Sequence, residues 1–90
     1  MKQWCVYILR CGDGTLYAGM TDDFPRRLEL HRAGKGAKYT RGRSPLEPVY
    51  REPCASMSEA LKREYAIKRL SRAEKLALLQ QNQYSTDADA

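Results

Sequence analysis

The sequence has little cysteine, and its three cysteines are not arranged as a disulfide framework or a zinc site would require. Cys5, Cys11 and Cys54 are odd in number and lack the paired C-x-x-C spacing that is typical of zinc ligands. We therefore expect three reduced thiols in a cytoplasmic protein, where a free cysteine in a strand behaves as a small hydrophobic residue. A secreted disulfide scaffold and a zinc domain are both disfavoured.

Long apolar runs are absent as well, and so are internal repeats. No apolar segment follows the first two residues as in a secretory signal, and none is long enough to span a bilayer. We therefore expect no membrane partner. A chain of 90 residues forms one domain with a modest core, which leaves room for one site.

Positive charge is what the sequence has in excess. Sixteen Lys and Arg against eleven acidic residues give a net charge of +5 and a pI near 9.3. This balance favours a polyanionic partner, since basic side chains release counterions from nucleic acid. Net charge alone is equally compatible with a domain that binds no nucleic acid, because it reports on solubility and steering rather than on chemistry.

The start of the chain predicts a β-hairpin, because β-rich runs at residues 4–9 and 15–20 flank a Cys-Gly-Asp-Gly turn. An odd loop centred on Asp13 would place Leu9 opposite Tyr17. Strand alternation would then bring Tyr7 to the same face as Tyr17. An even loop would instead pair Ile8 with Tyr17 and send Tyr7 to the other face, because a shift of one residue inverts every side chain.

A short helix is predicted after the hairpin, ending near residues 33–34. Residues 21–23 offer N-cap oxygens, and a proline suits the first turn. Three residues recur at helical spacing on this segment: Phe24, Leu28 and His31. On the helical wheel Arg27 and His31 lie one turn apart, so the helix would present a guanidinium and an imidazole on one face.

The next segment, residues 34–43, is a basic loop with three glycines and four Lys or Arg. It is the densest cationic stretch of the chain. Five of its side chains are candidate nucleic-acid contacts, four for phosphates and the tyrosine for stacking on a base: Lys35, Lys38, Arg41, Arg43 and Tyr39. The alternative is a solvated surface loop, since charge runs are commonly just that.

The rest of the chain predicts one strand and two helices. The segment 47–54 includes Val-Tyr-Arg at 49–51, a plausible third strand, which two prolines confine to a short or edge position. Two Ser-x-x-Glu capping boxes predict helices at about 58–70 and 72–81, the second with three inward leucines: Leu76, Leu78 and Leu79. The order ββαβαα indicates an α+β fold, a small three-stranded antiparallel sheet flanked by about three helices. We expect one domain over residues 4–81 and a flexible polar tail over 82–90.

Glu64 is out of place on the first of these two helices. The wheel puts it near the middle of an apolar arc of five residues: Met57, Ala60, Leu61, Ile67 and Leu70. Burial of an unpaired charge is costly, so such a carboxylate is usually paired, bound to a metal or at the edge of a cleft. The alternative is an i,i+4 pair with Lys68 on a solvated face, which stabilises a helix only slightly.

Four elements in order resemble the GIY-YIG nuclease signature: Val-Tyr-Ile at 6–8, Tyr-Ala-Gly at 17–19, Arg27 and Glu64. The resemblance covers roughly residues 4–80 and is greatest to the short stand-alone bacterial proteins, the YhbQ-like group. It implies a metal-dependent endonuclease-like domain that hydrolyses phosphodiester bonds in nucleic acid. It also implies that Glu64 binds Mg²⁺ or Mn²⁺, since a single carboxylate suits an ion that keeps its other positions for water and phosphate.

The resemblance also suggests roles for the other candidate residues. Tyr7 and Tyr17 match the two tyrosines that the family implicates, and either could be the general base. Arg27 offers a planar fork of donors for phosphate oxygens. His31 could accept a proton from a tyrosine, and Gly19 would let the backbone approach the substrate.

Two residues depart from the family pattern. Many relatives carry a lysine where this chain has Met20, and some carry an asparagine where it has Leu76. A thioether cannot assist a proton transfer, and a leucine cannot support a carboxylate ligand. These departures keep a second hypothesis open, a catalytically weak or inactive nucleic-acid-binding module of the same fold. A third is a protein-interaction domain.

The expected substrate is DNA in preference to RNA, in repair or processing. Base-specific interfaces bury about 1,000 Å² of protein or more. A domain this small has little area to spare, so we expect low sequence specificity from a monomer or weak dimer. A partner protein or dimerisation could supply targeting.

Overall fold

The computed structural model describes residues 3–81. Its elements are strands β1 (Cys5–Arg10) and β2 (Leu16–Thr21), helix α1 (Phe24–Arg32), a single 3-10 turn (Lys38–Thr40), strand β3 (Glu47–Pro53), and helices α2 (Met57–Lys68) and α3 (Arg72–Gln81). The predicted order ββαβαα and the α+β class are confirmed. The predicted tail, residues 82–90, lies outside the described residues.

The three strands form one antiparallel sheet in the order β2-β1-β3, so β1 is central. Leu9 lies opposite Tyr17, and Tyr7 lies opposite Gly19. The odd-loop alternative is therefore confirmed, and both phenols lie on the same face of the sheet. The Asp13 carboxylate stabilises the turn by accepting the Thr15 amide at 3.1 Å.

Strand β3 occupies the edge that its prolines predicted. Pro48 and Pro53 cannot donate to a ladder, and at an edge one side of a strand needs no donors. The pairing of β3 with β1 has an irregularity between Ile8 and Leu9. The third strand is thus the least regular one, and it lies on the side of β1 that faces away from β2.

Side chains of β1 alternate between two apolar clusters, one on each face of the sheet. On the first face Val6 and Ile8 pack with residues from α2 and α3: Ala60, Ile67, Leu78 and Leu79. On the second face the cluster contains Tyr7, Leu9 and Phe24 of α1. Strand β1 is buried on both sides, which explains its near-continuous apolar sequence.

The caps of the helices agree with the sequence. Asp23 accepts the Arg26 amide at the start of α1, and Ser56 accepts the Glu59 amide at the start of α2. Ser71 and Glu74 form a reciprocal capping box at the start of α3. Within residues 3–81, none of the three helices has the length and apolar character needed to cross a membrane.

The predicted apolar faces of α2 and α3 were partly wrong. Met57 and Leu61 are 55% and 54% exposed, and Leu76 is 41% exposed. Helix α2 packs mainly on the edge strand β2 and contacts β1 less. Only a narrow line of a helix can face such a small sheet, so Ala60 and Ile67 are buried while the flanks of the predicted arc are not.

Candidate active site

The centre of the candidate site is a hydrogen bond between a strand and a helix. The hydroxyl of Tyr7, on β1, lies 2.8 Å from Nε2 of His31, in the last turn of α1. Each residue is only 1% exposed. The sheet and α1 therefore hold a phenol and an imidazole together in a buried position.

Thr40 sets the tautomer of His31. The Thr40 hydroxyl donates its one hydrogen to the Ala37 carbonyl at 2.9 Å, so its oxygen accepts from His31 Nδ1 at 3.0 Å. Nε2 is then a bare acceptor for the Tyr7 hydroxyl. We assign this tautomer because the Tyr7 hydroxyl, His31 Nδ1 and the Thr40 hydroxyl then each donate to an acceptor within 3.0 Å; the Ala37 amide, 3.4 Å from Nδ1, could donate to that nitrogen only in the other tautomer.

Burial keeps both members of this pair neutral. It raises the pKa of Tyr7 to about 12, against the opposing effect of the nearby Arg27 guanidinium. Burial and the positive charge of Arg27 lower the pKa of His31 to about 4. At neutral pH the proton therefore stays on the phenol, and the imidazole is an uncharged acceptor.

The stability of the protein should depend on pH through His31. Its pKa falls from 6.5 to about 4 on folding, so the unfolded chain binds a proton more readily between these values. The stabilisation that the neutral His31 gives to the folded state is complete above pH 6.5 and is lost as the pH falls to 4. We expect a loss of about 3 kcal/mol from this group, measured by urea unfolding against His31→Gln. His31 is the single histidine, and an imidazole NMR signal that titrates near 6.5 would contradict the prediction.

Two glycines make room for the pair. A Cβ atom on Gly19 would lie 2.5 Å from the Tyr7 hydroxyl oxygen, and one on Gly36 would lie 2.5 Å from His31 Nδ1. Both contacts are closer than atoms tolerate. The space beside Gly19, where we expected substrate to approach, is filled by the Tyr7 ring. Gly19 therefore lets Tyr7 lie across β2, and Gly36 lets the basic loop close over His31.

Tyr17 is the more accessible of the two phenols. It is partly exposed, and its ring meets the His31 ring edge-on with centroids 5.4 Å apart. The ring of Tyr39 stacks on Tyr17 at 5.7 Å, and the Arg43 guanidinium lies 4.3 Å from the Tyr39 centroid. The tyrosine that we expected to stack on a base is thus already engaged by two side chains of the protein.

Arg27 lies beside the pair and also borders an open groove of about 210 Å³. The groove is at the start of α1 and is lined by six residues: Thr21, Asp22, Asp23, Arg26, Arg27 and Leu30. Because the charge of Arg27 acts on both Tyr7 and His31, one guanidinium connects the groove with the buried phenol. That position suits a group that binds phosphate.

Glu64 reaches the same region from α2. Its side chain is 17% exposed, and its negative charge contributes to the raised pKa of Tyr7, although less than burial does. The Lys68 ammonium lies 3.5 Å from its Oε2 atom and 5.6 Å from the centroid of the Tyr17 ring. Both sequence hypotheses for Glu64 therefore describe part of the geometry: it is largely buried, and it is paired with Lys68.

The Glu64 carboxylate fits a hard metal cation that takes few ligands from the protein. Residues 3–81 contain no cluster of three or more His, Cys, Asp or Glu that could hold a metal. This excludes a closed zinc-type cage from that part of the chain. A lone, largely buried carboxylate fits Mg²⁺, which accepts one or two carboxylates and keeps several waters.

The basic loop is tied to the hairpin rather than free in solvent. Arg43 forms an ion pair with Asp13, and its carbonyl accepts the Gly12 amide. The other three predicted phosphate contacts are exposed and make no salt bridge within the described part of the chain: Lys35, Lys38 and Arg41. The loop thus presents three accessible cations.

The departures from the family pattern lie away from the phenols. Met20 packs in the first apolar cluster, on the other face of the sheet from Tyr7. Leu76 is exposed on α3. Sequence reasoning missed Thr40 and Gly36, and it missed the contact of Lys68 with the Tyr17 ring, because all three depend on the folded loop or on packing of α2 against β2. The available signal for Thr40 was its hydroxyl group, which lies in the glycine-rich loop that follows the helix with His31.

Comparisons with known proteins show the family and the fold of the chain. The GIY-YIG catalytic domain model matches residues 3–77. The UPF0213 protein of Oceanobacillus iheyensis is 52% identical over 79 residues, which are 88% of this chain and 92% of that protein. The solution NMR structure of a UPF0213 protein from Bacillus halodurans has 48% identity and a TM-score of 0.57 over 89% of this chain and 84% of its own. That of an E. faecalis protein has 40% identity and a TM-score of 0.63 over 90% and 86%. The chain therefore belongs to the GIY-YIG nuclease family, among the short UPF0213 proteins.

Proposed function

We propose that the protein is a metal-dependent endonuclease that hydrolyses phosphodiester bonds in nucleic acid, with DNA preferred. The observation that carries the proposal is that several charged and hydrogen-bonding side chains surround one phenol, that of Tyr7. The charges of Arg27 and Glu64 both act on Tyr7, which also donates to His31 and lies near Tyr17. These groups come from four different elements, so their meeting is a property of the fold.

The geometry supports a distinct role for each group. Arg27, at the groove, binds a phosphate oxygen and offsets charge in the transition state. Tyr17, the partly exposed phenol, contacts the attacking water and is the proposed proton acceptor. The chain from Tyr7 through His31 to Thr40 is buried, and it holds the floor of the site in one arrangement.

Glu64 is the proposed ligand for Mg²⁺ or Mn²⁺. Such an ion, when bound, supplies charge neutralisation at the phosphate and lowers the pKa of a bound water. The carboxylate is preorganised for this, because α2 holds it largely buried at the edge of β2. The exposed cations of the loop would guide the phosphate backbone without reading bases, so we propose low sequence specificity.

The direct test is cleavage by the purified protein. Labelled single-stranded, duplex and branched DNA, and matching RNA, are incubated with Mg²⁺, with Mn²⁺ and with a chelator. The proposal expects cuts that need the metal and appear in DNA more than in RNA. Binding without cleavage under every metal condition would contradict it.

That contrary outcome defines a second candidate, a binding module. The protonation of the buried pair favours it: with the pKa of Tyr7 near 12 and that of His31 near 4, neither group exchanges a proton readily at neutral pH. A module of this kind would bind nucleic acid through the loop and cut nothing. The two candidates share the binding surface and differ only in cleavage.

Both candidates predict that the basic loop carries the affinity. Replacing Lys38 and Arg41 together by alanine should weaken binding to all sequences about equally. The slope of the logarithm of the binding constant against the logarithm of the salt concentration should become shallower by about one for each phosphate contact removed. Fluorescence anisotropy over a salt series measures this. The matched control replaces Lys62 and Lys75, which lie on α2 and α3 and give the same net charge. An equal loss in the control would show that net charge, not the loop, binds the polymer.

A further inference from the structure

Lys68 is the one salt-bridge partner that Glu64 has within residues 3–81. The two residues are one helical turn apart on α2, in the favourable order with the acid first. The ammonium also lies over the Tyr17 ring, 5.6 Å from its centroid. A positive charge therefore already lies close to both the carboxylate and the ring of the accessible tyrosine.

The two ends of this pair differ in exposure. The Glu64 side chain is 17% exposed, whereas that of Lys68 is 48% exposed. The carboxylate is held by the packing of α2, with Ala60 and Ile67 buried on either side of it. The ammonium gains hydration when it moves away from Glu64 into water, and the long, flexible lysine stem allows that movement. The lysine is thus the partner that is free to leave.

A metal ion on Glu64 would meet this ammonium at short range. Two positive charges within about 4 Å of each other repel strongly where water is partly excluded. We propose that Lys68 is a displaceable cation, which neutralises Glu64 in the metal-free protein and must leave it when a divalent ion binds. This inference rests on the proposed function, in which Glu64 is the metal ligand.

The displacement also has a destination. Lys68 already holds its ammonium 5.6 Å from the centroid of the Tyr17 ring, which is partly exposed. Once released, its ammonium lies beside the partly exposed phenol and can contact a substrate phosphate there. Metal binding and substrate binding would then favour the same position of one side chain.

The test is direct titration of Mn²⁺ by electron paramagnetic resonance, which reports free metal and needs no cleavage. Lys68→Met removes the charge and keeps an apolar stem against Tyr17. We expect it to bind Mn²⁺ more tightly than the unaltered protein, on the order of tenfold. The matched control is Lys62→Met, an exposed lysine on the same helix, which changes the net charge equally and should leave the affinity almost unchanged.

The outcomes separate the inference from the function on which it rests. Equal affinities for Lys68→Met and Lys62→Met, or weaker binding by Lys68→Met, would overturn the inference. In that case loss of Mn²⁺ binding in Glu64→Gln would leave the proposed metal ligand intact. If Glu64→Gln binds Mn²⁺ as the unaltered protein does, the assignment of Glu64 as the ligand fails, and the displacement fails with it.

Discussion

Glu64→Gln is expected to lower Mg²⁺-dependent cleavage by roughly a thousandfold, because it removes the proposed metal ligand while keeping its shape. The side chain is largely buried on α2 and its charge reaches Tyr7. An amide in its place holds a divalent cation poorly. Affinity for DNA should be equal or slightly higher, since one negative charge is lost near a polyanion. Single-turnover cleavage and anisotropy on the same preparations measure the two effects.

The control for this variant is Glu29→Gln. Glu29 is exposed on α1 and makes no salt bridge among residues 3–81, so its replacement has the same charge effect without touching the site. Cleavage by the control should stay within about twofold of the unaltered protein. If Glu64→Gln cuts as fast as the control, Glu64 has no catalytic part, and its assignment as the metal ligand fails.

Tyr17→Phe should reduce cleavage by about a hundredfold or more, as loss of a positioned proton acceptor does. The fold should be unaffected, because the phenol is partly exposed and its ring contacts with His31 and Tyr39 do not need the hydroxyl. Thermal unfolding and single-turnover rates, measured together, test both statements. Tyr65→Phe on the exposed side of α2 is the matched control and should leave both unchanged.

Tyr7→Phe should behave differently from Tyr17→Phe. It removes the donor to His31 and leaves Nε2 buried without a partner, which costs about 1–3 kcal/mol of stability. Its loss of activity should therefore accompany a loss of stability. If Tyr7→Phe is stable and inactive while Tyr17→Phe is active, the buried phenol is the proton acceptor, and the roles proposed for the two tyrosines are reversed.

Tyr7 and His31 are both buried and neutral at neutral pH, and this limits the acid–base chemistry of the free protein. With its pKa near 12, Tyr7 cannot act as a base on its own at neutral pH. A cation that enters the site would favour its ionised form, whereas Glu64 and Tyr17 oppose it. In the free protein Tyr7 and His31 are thus held in place but uncharged. Catalysis is expected to depend on binding of the substrate phosphate at Arg27 and of the metal at Glu64.

Much of the fold could be predicted because the signals were local. The Asp-Gly turn, the Ser-x-x-Glu boxes and the prolines of β3 each act within a few residues, where backbone chemistry decides the conformation. The same holds for Arg27 and His31, whose common face follows from helical geometry. What failed was the extent of the buried face: Met57 and Leu61 are apolar, but each is more than half exposed because the small sheet covers only part of α2.

By itself, the sequence determined the elements, their order, the candidate residues on them and the excess of positive charge, since these depend on neighbours along the chain. Only the tertiary structure decided that Tyr7 and Tyr17 share a face, because the parity of the hairpin loop was open until the strands paired. It alone placed Thr40 on His31 and Lys68 on Tyr17. Such contacts join residues distant in the chain, and they form only when the whole domain has closed around its central strand.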